Sequence, residues 1–335
     1  MQQVKDLLSL SYIVLKGVYN VFVVSNYEHF SFLEKQIRAL EKEYGAVLDA
    51  SYQKRLKLYM KIAALLIDAA QTLRNQRFSR EQKQLTVLFF GLTALFDDLL
   101  DEHDYTQAEI LGVIQKIPQR NILLEYICIG LFERITALKT DFQWIDTWQK
   151  VIHSQIESQR QVKASHLEPS FLKQLTFDKG GFALVLCLET VFGDQISKAE
   201  LDGAYQAGGV AQLANDIFDI YKDAQAHITT LVTSETDMNQ LRQFYDESVL
   251  KTMQLFGKLP FDKNNIRQVM LQYLLVVTRA FVAMDQLQAL QTPTNPIFEL
   301  SSYQRKQLIC DMERLRNIKK SLQYTLTWIH FLPKK

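Results

Sequence analysis

Residues 85–104 read Leu-Thr-Val-Leu-Phe-Phe-Gly-Leu-Thr-Ala-Leu-Phe-Asp-Asp-Leu-Leu-Asp-Glu-His-Asp, an apolar segment that ends abruptly in carboxylates. On a helix, Asp97 and Asp101 project from one face about 6 Å apart along the axis, with Asp104 about one turn further on. Like charges at that spacing repel. They also crowd the C-terminal end of the helix, where the macrodipole is negative. Two unfavourable effects coincide unless a cation offsets them. A hard divalent ion does so: Mg²⁺ takes one or two carboxylates and fills its other positions with water and phosphate oxygens. The stretch therefore predicts a long helix ending in a phosphate-handling metal site.

The rest of the chain supports helices. Apolar residues recur at helical spacing, as in Leu33, Ile37, Leu40 and Tyr44, or Leu271, Leu274, Leu275 and Thr278. Only 12 Gly and 6 Pro punctuate 335 residues, where together they usually make up roughly 12%. About a dozen helices and no strand are expected. Breaks are expected near Ser25 to Tyr27, Gly45, Asn75 to Ser79, His103 to Thr106, Pro118, Asp141, Glu168-Pro169, Gly193, Ile228 to Ser234, Gly257 to Asp262 and Thr292 to Ser301. No linker, repeat, low-complexity tract or like-charge block stands out. The expectation is one all-α domain over residues 1–335, with residues 1–75 forming N-terminal helices that pack on the catalytic bundle.

Charge and cysteine usage narrow the function. With 38 Lys+Arg against 37 Asp+Glu and a pI near 7.7, the chain lacks the basic footprint of a nucleic-acid partner. Cys128, Cys187 and Cys310 are odd in number and set among apolar residues, so they read as buried thiols in a reducing, cytoplasmic setting. Residues 7–24 come nearest to a hydrophobic span, but Lys16 and Asn20 interrupt it and no small-residue cleavage site follows. An amphipathic first helix packed on the body, with no stable membrane insertion, is the expectation. The six His show no zinc or di-iron spacing, and no dinucleotide fingerprint, P-loop or nucleophile elbow is present.

A second acidic run lies far along the chain: Asn215-Asp216-Ile217-Phe218-Asp219-Ile220-Tyr221-Lys222-Asp223. Asn215, Asp219 and Asp223 stand at i, i+4 and i+8 and share a helix face. The same face runs back through Gln212, Ala211 and Gly208, small residues that leave room for a ligand. Beneath Asp97 the corresponding face carries Ala94, Thr93 and Phe90. Together these features suggest a pocket with a charged mouth and an apolar interior, suited to an apolar chain ending in diphosphate.

The two runs, Asp97-Asp98-x-x-Asp101 and Asn215-Asp216-x-x-Asp219-x-x-x-Asp223, resemble the metal-binding motifs of the class I terpenoid synthase superfamily, which includes isoprenyl diphosphate synthases and terpene cyclases. The resemblance covers roughly residues 85–223. It implies a single-domain all-α bundle around a central apolar cavity, with about three Mg²⁺ ions holding a prenyl diphosphate between two facing helices. By position, Asp97, Asp98 and Asp101 match the aspartate-rich motif. Asn215, Asp219 and Asp223 match the Asn-Asp-x-x-Ser/Thr-x-x-x-Glu pattern of cyclases, with Asp at both later ligands and Lys222 where bacterial cyclases often carry a basic residue. Gly208 to Asp219 equally resembles the Gly-x-x-Phe-Gln-x-x-Asp-Asp-x-x-Asp of chain-elongating enzymes, with Gln212 retained, Asn215 for the first Asp and Ala211 for the Phe. Lys179-Gly180-Gly181-Phe182-Ala183-Leu184 is similar to the Lys-Thr-Gly/Ala-x-Leu element whose Lys grips diphosphate, although Gly180-Gly181 reads equally well as a break or a close helix contact. Chain-elongating enzymes follow their first motif with Arg-Arg-Gly. Here Glu102-His103-Asp104-Tyr105-Thr106-Gln107 follows, and no arginine occurs until Arg120.

Further candidates are Arg160 and Lys163 as diphosphate sensors, Arg305 beside Tyr303, and Phe90 and Phe182 as rings facing a carbocation. The expected function is a Mg²⁺-dependent terpene synthase that ionises one allylic prenyl diphosphate and releases diphosphate. The alternatives are a prenyltransferase joining prenyl units and a helical protein that binds prenyl diphosphate without turnover. A homodimer is left open.

Overall fold

The computed structural model describes residues 2–139, 145–163, 167–291 and 296–332, and among them every regular element is helical. Apart from three short 3-10 turns (Gly193–Gln195, Leu300–Ser302 and Ile329–Phe331), these are in chain order α1 (Gln2–Tyr19), a π-helical continuation (Asn20–Phe30), α2 (Ser31–Tyr44), α3 (Ser51–Arg74), α4 (Arg80–Asp101), α5 (Gln107–Ile114), α6 (Leu123–Leu138), α7 (Ile145–Ser158) and α8 (Arg160–Lys163). They are followed by α9 (Pro169–Phe192), α10 (Lys198–Gln225), α11 (Met238–Gly257), α12 (Lys263–Gln288), α13 (Arg305–Leu308) and α14 (Leu315–Trp328).

Most boundaries follow from local chemistry. Ser79, Thr106 and Ser197 each accept a hydrogen bond from the backbone N–H three residues on, while Gln82, Glu109 and Glu200 accept back from the cap residue. These reciprocal pairs satisfy donors that a helix start leaves orphaned. Gly45 and Asn75 take left-handed conformations, φ +67° and +50°, and stop α2 and α3. The expected break at Ser25 to Tyr27 is not a break. Ser25 Oγ donates to Val21 O at 2.5 Å and Asn26 Nδ2 to Phe22 O at 2.9 Å. Both compete with the ordinary ladder, so the chain stays helical but winds wider. The expected break at Asp141 and part of that at Thr292 to Ser301 lie outside the described residues.

The chain divides into two compact units: residues 1–156 with 186–196, and residues 157–185 with 197–335. In the first, α4 packs on α3 and α6, and α2 on α6. Its core includes Leu92, Leu95, Leu99, Ile127, Leu131 and Trp148, with the Phe96 and Phe132 rings against the indole. In the second, α10, α11 and α12 pack on one another and α14 on α12. Tyr245 Oη donates to Val277 O at 2.8 Å across α11 and α12, and Phe281 stacks on Trp328. Helix α12 is long and apolar enough to cross a membrane by length and composition, and 61% of its apolar window is buried within the fold. The three cysteines are free and buried, and burial pushes the Cys187 thiol up to about 12.

Candidate functional site

In the first unit, helical phase sends the neighbouring carboxylates of α4 to different surroundings. Asp98 is buried and forms an ion pair with Arg55 of α3. Asp97 is half-buried. It accepts a 2.5 Å hydrogen bond from Tyr59 Oη of α3 and a 3.3 Å one from Gln155 Nε2 of α7. Two donors from separate helices therefore fix the orientation of its oxygens. Helix α4 reaches Asp101, whose side chain lies outside the described residues. The loop that follows is held by Arg120, which donates to His103 O at 2.6 Å, to Asp104 O at 3.0 Å and to both oxygens of Glu109. The Arg120 guanidinium also lies 4.2 Å from the Tyr105 ring centroid. Phe90 is 8% exposed and packs edge-on to Phe89.

In the second unit, α10 presents a ladder of acids. Asn215 is exposed, and its Nδ2 donates to Asp219 Oδ2 at 3.4 Å. Lys222 Nζ stands 3.7 Å from the same Asp219 oxygen. Asp216 turns inward, accepting from Gln212 Nε2 at 2.8 Å and from Thr176 Oγ1 of α9 at 3.3 Å. Gln212 thus positions a buried carboxylate. Burial pushes the Asp216 carboxyl above the ordinary range. Burial, reinforced by the charges of Asp216 and Asp219, pushes Asp223 up to about 7. The Lys179 charge on α9 opposes both shifts without overcoming burial.

Two glycines let the α9 and α10 backbones approach closely. A Cβ at Gly180 would sit 2.2 Å from Gly208 O, and a Cβ at Gly208 would sit 2.2 Å from Gly180 O. The Gly180-Gly181 pair is a close helix contact inside an unbroken α9. Gly208 accordingly leaves no room for a ligand, because the α9 backbone fills the space its missing side chain provides. Ala211, by contrast, is exposed. Phe182 is half-buried against the Tyr205 ring, at 5.1 Å between centroids.

The remaining cations are placed unequally. Arg160 is paired with Glu157 at 2.7 Å and lies over the Phe171 ring. The Lys163 side chain lies outside the described residues. Arg305, at the start of α13, reaches the ring of Tyr221 on α10, 5.9 Å from its centroid. Arg279 of α12 stands 5.6 Å from the ring centroid of Phe218 on α10. Arg279, Tyr59, Gln155, Arg55 and Thr176 were not among the residues the sequence singles out. They carry no motif, and only tertiary packing brings Tyr59, Gln155, Arg55 and Thr176 to the acids and Arg279 to the Phe218 ring.

Carboxylate and amide oxygens are hard donors, which fit Mg²⁺ better than a softer metal. Among the described residues, no group of three or more His, Cys, Asp or Glu is placed to enclose an ion. The α10 ladder spreads its donors over two turns, which suits an ion that takes one or two protein ligands and completes its shell with water and phosphate oxygens. No family model matches the chain, and no curated protein or solved structure matches it either.

Proposed function

We propose that the chain is a Mg²⁺-dependent class I terpene synthase acting on an allylic prenyl diphosphate, with the superfamily's bundle and apolar cavity as part of the same proposal. One observation carries the reading: on α10, Asn215 Nδ2 and Lys222 Nζ stand 3.4 Å and 3.7 Å from the same Asp219 oxygen, with Asp223 one turn further along the same helix. A cation-binding acidic face with a lysine at its side suits a diphosphate, which needs metal for its charge and a donor for its oxygens. Bound Mg²⁺ would stabilise the departing diphosphate as the allylic C–O bond breaks.

The chain's own residues then have distinct roles. Asp97 and Asp101 on the first unit, and Asn215, Asp219 and Asp223 on the second, would each offer ligand oxygens. Tyr59 and Gln155 hold Asp97 in orientation. Lys179 donates to diphosphate oxygens, with Lys222 and Arg305 as further cations. Asp98 is assigned to anchoring α4, since Arg55 already neutralises it within the core. A single-substrate reaction is favoured over condensation because Arg120, the first arginine after the motif, is taken up by His103, Asp104 and Glu109.

The test is incubation with allylic diphosphates of increasing length and Mg²⁺, with and without isopentenyl diphosphate. Diphosphate release that saturates in one substrate, accompanied by hydrocarbon or alcohol, is expected. Asp97→Ala and Asn215→Ala should each reduce it by at least about a hundredfold, the scale of losing one electrostatic stabiliser. Obligatory dependence on isopentenyl diphosphate would convert the reading to a prenyltransferase, and tight binding without turnover to a binding protein.

A further inference from the structure

The N-terminal helical segment is apolar on both sides. One side faces the body: Leu10, Ile13, Ser25 and His29 are buried, and Lys16 Nζ pairs with Asp68 at 2.6 Å. The other side exposes Tyr12, Leu15, Val18, Tyr19, Phe22, Val23 and Tyr27, with Leu15 at 71% and Tyr27 at 78%. Positions 12, 15, 19, 23 and 27 advance by three or four residues and make one stripe along α1 and its π-helical continuation. A helix apolar all round needs cover on both sides. A stripe of this length exceeds the scattered apolar residues of an ordinary surface.

Charge identifies the cover. From Tyr12 to Tyr27 the chain contains no acidic residue, and Lys16 is its only charged one. Helix α3, which packs on the π-helical stretch, places Lys61 Nζ 5.7 Å from the Phe22 ring centroid and Lys57 Nζ 5.0 Å from that of Phe30. Between and beside these lysines in sequence, Leu58 and Ile62 are exposed as well. Tyrosines and a phenylalanine along an apolar stripe, fringed by lysines, have the composition of a helix lying in a lipid headgroup layer. A second copy of the face would offer those lysines a single carboxylate, the exposed Glu28 at the end of the stripe. The Lys16–Asp68 pair and the buried residues hold the segment flat on its own unit, so it would lie on a bilayer and not cross it.

We infer that the exposed face of residues 12–27, with Lys57 and Lys61, docks the protein on the surface of an anionic lipid bilayer. The inference is independent of the reading of the acidic site, and its test contains no diphosphate. The full chain is floated with vesicles of phosphatidylcholine alone and with vesicles containing about 30% phosphatidylglycerol. Recovery with the anionic vesicles is expected, reduced by high salt as headgroup attraction is screened. Leu15→Asp with Phe22→Asp should lower it at least about tenfold, since charges on the apolar face prevent its burial. Lys57→Gln with Lys61→Gln should lower it by about tenfold on anionic vesicles alone. All four positions are solvent-facing or partly so, and unchanged melting verifies folding. The wild-type salt response reads the same property without any substitution. Equal recovery of the wild type and Leu15→Asp/Phe22→Asp would overturn the inference. So would a concentration-dependent dimer that this double variant dissociates while no vesicle is bound.

Discussion

Asp223 keeps its proton up to about pH 7 because folding removes it from water and sets it beside Asp216 and Asp219. In the unfolded chain an aspartate ionises near pH 4. Between about pH 4 and 7 the native state therefore binds the extra proton, and stability falls as pH rises through that window. Asp223→Asn removes the effect. Its melting temperature should exceed the wild type by about 2 °C at pH 8 and by less at pH 5, and Mg²⁺ should stabilise the wild type more than the variant at pH 8. Equal differences at both pH values would show that the ladder is not strained by its own charge. Asp98 and Asp97 make a second contrast. Asp98→Asn should cost about 2 kcal/mol in urea unfolding, less than the ~3–5 kcal/mol for breaking a fully buried pair because the Arg55 side chain is 36% exposed. Asp97→Asn should cost less stability, yet abolish more of the Mg²⁺-dependent rise in melting temperature. The i, i+4 spacing made the carboxylates legible as a set. Which of Asp97 and Asp98 turns inward depends on where α3 supplies Arg55 and Tyr59, and no local pattern records that.

Helices α9 and α10 meet through their glycines, and a substitution there is an experiment on spacing. Gly208→Ala puts a methyl group 2.2 Å from a backbone oxygen that cannot rotate away. It should cost about 1–3 kcal/mol by overpacking. By parting the helices it should also relieve the burial that raises the Asp223 carboxyl and so lower its apparent pKa, readable from its carboxyl carbon resonance. Gly203→Ala is the control: its Cβ meets only the Phe256 ring, at 3.2 Å. It should be near neutral or slightly stabilising, since alanine gains roughly 0.5–1 kcal/mol over glycine within a helix. Similar destabilisation by both would mean that the tight crossing does not control the site. Helices with side-chain caps, such as those opened by Ser79, Thr106 and Ser197, were legible because start signals are local. The π-helical stretch was not, because Ser25 and Asn26 read as turn formers until their donors are seen to reach carbonyls four residues back.

At the scale of the molecule, the division into two units passes through the middle of α9. Residues up to Val185 belong to one unit and residues from Leu186 to the other, within a helix that runs without interruption from Pro169 to Phe192. Leu172 and Leu175 are buried in the first part, and Leu186 and Cys187 in the second. A helix that loses half its packing frays at the cut, because nucleated backbone hydrogen bonds are stable only while a tertiary face supports them. Unfolding of either unit should therefore withdraw α9 from the other, and the chain should melt in one cooperative transition. Trp148 reports on one unit and Trp328 on the other, so Trp328→Phe and Trp148→Phe variants, each with Trp144→Phe, give separate fluorescence probes. Leu186→Ala leaves a cavity in the core of the first unit at a cost of about 2–5 kcal/mol. It should lower the transition seen by Trp328 as much as that seen by Trp148, with the two curves superimposing. If Trp148 alone moves and the curves separate, α9 is two independently supported half-helices, and the units have separate stabilities despite sharing a helix.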